Sequence, residues 1–119
     1  MPGYVVQVRR VYDQALASDG ARVLVDRLWP RGVSKEKAHL DEWLKDVAPS
    51  PELREWYGHV PERFAEFSSQ YEAELRSGEQ ATAIEHLRML VASGPVTLLT
   101  ATKEPEISEA AVLEHLLRT

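Results

Sequence analysis

Val96-Thr97-Leu98-Leu99-Thr100-Ala101 is the stretch that decides how this chain is built. It is apolar and β-branched, follows Gly94-Pro95, and reads as a buried strand. A second such run, Arg22 to Leu28 (RVLVDRL), comes directly after the turn signal Asp19-Gly20 and stops at Trp29-Pro30-Arg31-Gly32. Proline cannot donate to a ladder and pushes its predecessor toward extended geometry, so the strand must end there. Val5-Val6-Gln7-Val8 predicts a further short strand near the start. The pattern between these strands and the last one is helical. A strand reached through a long helical crossover is normally parallel to its neighbours, with a right-handed connection. The expectation is one small α/β layered domain, residues 1–119, with a mostly parallel sheet flanked by helices.

The helices are legible from spacing and punctuation. Leu40, Trp43, Leu44 and Val47 fall at i, i+3, i+4 and i+7, which predicts a short helix ended by Pro49. Ser50 followed by Pro51 predicts an N-cap with proline in the first turn, opening a helix through Leu53 and Trp56 to Gly58. Pro61 starts a longer helix bearing Phe64, Phe67, Tyr71 and Leu75, with Gly78 near its end. Another runs from Glu79 to Ala92 and stops at Gly94. The last begins at Ser108, a candidate N-cap, and carries Val112, Leu113, Leu116 and Leu117.

Composition narrows the chemistry. With 119 residues, 44% of them hydrophobic, a core forms without covalent staples. There are no cysteines, which excludes disulfides, thiolate zinc sites and a cysteine nucleophile. A net charge of −5 opposes nucleic-acid binding through bulk charge. Met1-Pro2-Gly3-Tyr4 has neither the basic start nor the apolar stretch of a signal peptide, and no apolar run approaches a membrane span. A cytoplasmic location and no membrane partner are the expectations.

Chemistry is expected where the two buried strands end. After Val23-Leu24-Val25 come Asp26, Arg27, Trp29 and Arg31; after Val96 to Leu99 come Thr100, Thr102 and Lys103. Parallel strands bring both clusters to one edge, and open α/β sheets bind ligands outside the carboxyl ends of their strands. Between Arg22 and Lys37 the chain has five basic residues against Asp26 and Glu36, so an anion would be drawn there. Arg27, Arg31, Lys35 and Lys103 are the anion-binding candidates, the arginines in bidentate fashion. Asp26 is the candidate catalytic group, as general base or orienting carboxylate. Trp29, Thr100 and Thr102 would line the pocket. The N-terminus of the last helix could add amide donors, although Glu109 in its first turn would occupy that field.

Plainer roles suit the same residues. Asp26 could form a structural salt bridge with Arg27 or Arg54, and the tryptophans could be packing between elements. Other constellations fail: His39, His59, His86 and His115 make no metal-ligand pair, and no GxSxG, GxGxxG or Walker-type loop occurs. Neither a metal nor a cofactor is therefore assigned.

The blocks Arg27-Leu28-Trp29-Pro30-Arg31-Gly32, Ala48-Pro49-Ser50, Leu53-Arg54, Phe67, Tyr71, Glu74-Leu75 and Val96-Thr97-Leu98-Leu99 resemble the YeaO-like branch of the bacterial and archaeal family called domain of unknown function 488. The resemblance runs from about Val8 to Leu117 and implies a compact α/β domain, with no reaction attached. This chain departs from the branch at Thr100, where an aromatic is usual, and at Ile107 and Ser108, where a His-Asn type pair is usual. Phe64 also replaces a tryptophan. The functional expectation is a small enzyme or binding protein for a phosphate-bearing or other anionic small molecule, a nucleotide among them. The competing classes are a protein-interaction domain without catalysis, which would suit a homo-oligomer, and, less favoured, a nucleic-acid-binding regulator.

Overall fold

A computed structural model describes residues 5–118; Met1–Tyr4, where no signal peptide is expected, and Thr119 lie outside the described residues. Among the described residues, four strands form one all-parallel sheet in the order β1-β4-β2-β3. They are β1 (Val6–Arg10), β2 (Ala21–Leu24), β3 (Glu42–Trp43) and β4 (Val96–Thr100). Val96 stands opposite both Val6 and Ala21, so β4 runs down the middle between β1 and β2. Five helices among the described residues pack around the sheet: α1 (Lys35–Ala38), α2 (Pro51–Tyr57), α3 (Phe64–Glu74), α4 (Gly78–Ser93) and α5 (Glu109–Arg118).

Strand alternation divides the apolar residues between two faces. Val6, Val23, Val25, Val96 and Leu98 face the main core, which holds Phe67 and Tyr71 of α3, Leu87 of α4 and Leu113 of α5. Leu24 and Leu99 point the other way into a small second core with Val11 and Ala38, covered by Trp29 and Val33. All five residues of β4 are buried. A strand buried on both faces reads as a near-continuous apolar run, and this one does.

Local signals held where a side chain closes an end. Ser50 accepts from the Leu53 amide at the start of α2, and Gly58 ends that helix in the left-handed region. Gly20 cannot be replaced: at φ +66°, an added Cβ would lie 2.2 Å from the Pro95 carbonyl oxygen. The close approach lets the Ala21 amide bond that oxygen and sets the start of the β2–β4 ladder.

Four expectations need correction. The stripe Leu40 to Val47 is not a helix. His39 takes a left-handed conformation, residues 42–43 become the edge strand β3, and residues 45–47 make one 3-10 turn. Leu40, Leu44 and Val47 still point inward, so the spacing recorded burial and not helical backbone. The second strand ends at Leu24, short of Leu28, because the chain turns away at Asp26 to meet the end of β4. Gly78 opens α4 with φ +66° and does not close α3. Ser108 stands directly before α5 as expected and its carbonyl accepts the first helical bonds, but its hydroxyl caps no amide and donates back to the Pro105 carbonyl at 2.6 Å.

Candidate functional site

The carboxyl ends of β2 and β4 are tied together by Asp26. One carboxylate oxygen accepts from the Thr100 hydroxyl and the other from the Ala101 amide, both at 2.8 Å. The Val25 amide bonds the Leu99 carbonyl just before, so Asp26 extends the ladder with its side chain where the backbone has left it. Its main-chain carbonyl accepts from the Trp43 indole at 2.8 Å. Asp26 is therefore engaged with β4, while Arg27 donates to the carbonyls of Ala48 and Pro49 at 3.2 and 3.3 Å. The Nε of Arg27 is buried and makes no hydrogen bond to another described residue.

Beside this clamp lies an open cleft of about 380 Å³. Among its lining residues are Asp26, Arg27, Trp29, Arg31, Thr100 and Thr102, all of them expected from the sequence. Lys35, exposed on α1, and Lys103, exposed after β4, are not among the lining residues. Arg22 leaves the basic patch altogether: it is buried and ion-paired with Asp19 at the opposite end of β2. Trp29 donates its indole N–H to the Val33 carbonyl at 2.7 Å and meets Trp43 edge-on with centroids 5.3 Å apart. Its ring is thus a fixed wall.

Arg54, His59 and Glu109 also line the cleft and were not assigned to the site from the sequence. The same three line an adjoining pocket of about 380 Å³ between α2 and α5, so the two spaces share a wall. Arg54 sits one turn after the Ser50 cap, which fixes its direction. His59 follows Gly58 with φ +57°, a conformation more accessible to histidine than to most residues with a side chain. Two consecutive left-handed residues turn the chain at this rim.

Glu109, partly buried at the start of α5, lies within hydrogen-bonding reach of the Asp26 carboxylate. Burial, the Asp26 charge and that hydrogen bond push its carboxyl well above the usual range, opposed by its own backbone amide and Arg54. Glu109 is thereby held toward its neutral form beside Asp26. It thus occupies the start of α5 against Asp26 and does more than weaken an anion field. Tyr71 beneath them is pushed up by burial and then by the charges of Glu109 and Glu74, and its hydroxyl donates to the Val47 carbonyl. Burial and the nearby acids Glu104 and Glu109 likewise raise Tyr57, which donates to the Ile107 carbonyl at 2.6 Å. Among the described residues, no group of three or more histidine or acidic side chains is placed to hold a metal ion. No helix among them is long and apolar enough to cross a membrane.

Fold and cleft define the class: a small all-parallel α/β protein with a ligand-sized opening at the carboxyl edge of its sheet. The chain belongs to the DUF488 family, the model described as the inactive DUF488-N3 subclade matching residues 5–119. It is 51% identical over 112 residues to the uncharacterized protein Rv3073c of Mycobacterium tuberculosis, covering 94% of this chain and 92% of that one. It is 45% identical over 115 residues to the uncharacterized protein YeaO of Escherichia coli, covering 96% and 97%. No solved structure matches it.

Proposed function

We propose that this protein binds a small anionic molecule, one bearing a phosphate or carboxylate, in the cleft at the ends of β2 and β4 without turning it over. One observation carries the reading. Arg31 and Arg54 come from separate segments, line the same cleft and are exposed. Among the described residues neither guanidinium is held in an ion pair or hydrogen bond within the protein. Two such forks facing one opening suit a planar or tetrahedral anion. Arg27 supports the floor, and Lys35 and Lys103 add positive charge to the approach.

Binding is favoured over catalysis by what the other groups are doing. Both oxygens of Asp26 already hold the end of β4, so it serves as an orienting carboxylate and not as a free base. At Ile107 and Ser108, two of the positions that depart from the YeaO-like pattern, the Ile107 carbonyl is used by Tyr57 and the Ser108 hydroxyl by Pro105. The description of the matching subclade as inactive agrees with this reading.

A thermal-shift screen against nucleoside monophosphates, sugar phosphates and simple oxyanions tests it. A ligand at about 100 times its Kd adds about 2.7 kcal/mol, several degrees in a domain of this size. Arg54→Ala and Arg31→Ala should each remove most of the shift. A flat screen, or a shift that both variants retain, would sink the proposal. A second reading, an interaction domain, is favoured by Leu28 and Tyr12, 65% and 46% exposed on the cleft lining. Self-association in sedimentation equilibrium, abolished by Leu28→Ser, would support that instead.

A further inference from the structure

We propose that the cleft takes up its anion together with one proton, which is held between Asp26 and Glu109. This rests on the anion-binding reading and adds its regulation. Two carboxyl groups stand on the same wall as the guanidinium groups of Arg31 and Arg54. A bound anion would neutralise Arg54, the side chain whose charge most directly favours ionised Glu109. It would also bring a further negative charge close to the pair. Both changes favour the state in which the two carboxyl groups share a proton, so binding and protonation reinforce one another.

The surroundings of Glu109 leave the pair as the acceptor of that proton. From the end of β2 it is faced by Asp26 and, further along, Arg27; from α2 by Arg54 and Tyr57; from α3 by Tyr71. Glu104 lies toward Tyr57 on the connection from β4. Both tyrosines are already neutral and stay so. His59, on the turn after α2, shares the cleft wall, and an imidazole is also a side chain able to accept a proton. The test must therefore separate Glu109 from His59.

Sulfate is the suitable probe, a tetrahedral dianion with no proton of its own to exchange between pH 5 and pH 8. Its affinity for the whole chain is followed by NMR on the tryptophan indole N–H groups. With one proton taken up, Kd rises toward tenfold for each pH unit above the native titration of the pair. The Glu109 side-chain carboxyl carbon should in addition titrate at higher pH when sulfate is present. Glu109→Gln should bind sulfate with a Kd that no longer follows this slope, and His59→Gln should keep it.

Sulfate binding with the same Kd at every pH overturns the inference and leaves the anion site standing. So does a pH dependence lost in His59→Gln but kept in Glu109→Gln, which would make the histidine the proton acceptor. No sulfate binding at any pH overturns the anion-binding reading itself. A folded Glu109→Gln, checked by its own melting transition, keeps the comparison interpretable.

Discussion

The two ends of β2 hold carboxylates in opposite conditions. Two residues before the strand, Asp19 is buried and surrounded by donors: Arg9, Arg22, the Gln7 amide and the Leu16 backbone N–H. Burial alone would raise its carboxyl, but the Leu16 amide, Arg22 and Arg9 together hold it below the usual carboxylate value. Two residues after the strand, Asp26 has neutral donors and faces a second acid, Glu109, which is pushed the other way. Arg22 also donates to the carbonyls of Ala38 and His39, so the Asp19 end is a closed network. The Asp26 end opens on a cleft. A closed network fixes structure; the end with two facing carboxyl groups, and guanidinium groups outside any ion pair, is the one able to respond to a ligand.

The largest effect should come from breaking the closed end. Asp19→Asn strands two arginines, one of them buried, and should cost about 3–5 kcal/mol in urea unfolding. Asp26→Ala should cost less, about 2 kcal/mol, because it loses two hydrogen bonds to a charged acceptor but relieves a like-charge contact. If the two losses are equal, the contrast between the ends is wrong.

The acid–base behaviour of the two ends should also differ in sign. The native Asp19 carboxyl holds its proton less tightly than in the unfolded chain. Its contribution is present above the unfolded value and is lost as pH falls through the native one, so the gap between wild type and Asp19→Asn should shrink toward pH 3. Glu109 holds its proton more tightly when folded. Stability from it is full below its unfolded value and declines as pH rises through the native one. Glu109→Gln should therefore raise Tm at pH 8 by less than either loss above, with the gain disappearing near pH 4. A Tm gain at pH 4 would reverse the assignment. The smallest effect is expected at Arg31→Ala, within about 0.5 kcal/mol of wild type, since the side chain is exposed. A larger loss in urea unfolding would mean that Arg31 holds structure and is not reserved for a ligand.

The sequence disclosed the sheet because strands and helix ends announce themselves locally. Val96 to Thr100 is mostly apolar and β-branched, Ser50-Pro51 caps a helix, and both were readable without any partner. β3 was not readable. Two residues carry too little alternation to signal a strand, and what makes them one is pairing with Val23 and Leu24. The site divided in the same way. Asp26, Arg27 and Arg31 follow directly on a strand and were expected at its edge. Arg54, His59 and Glu109 reach the cleft only because α2 and α5 are folded against that edge, a relation between segments about 30 to 80 residues apart in the chain. Leu53-Arg54 in the family-like blocks, and an acid in the first turn of α5, were the available signals.

The placement of β4 has a consequence for synthesis. β1 and β2 emerge from the ribosome first, yet each hydrogen-bonds to β4, whose first residue is Val96. Until that segment is made, both early strands expose unpaired backbone edges and apolar faces, a state open to association with other chains. Closing loops of this length before any pairing is rewarded also slows folding. A nascent chain stopped ahead of Val96 should show no protected strand amides in hydrogen exchange, and release of the last 24 residues should complete the sheet in one step.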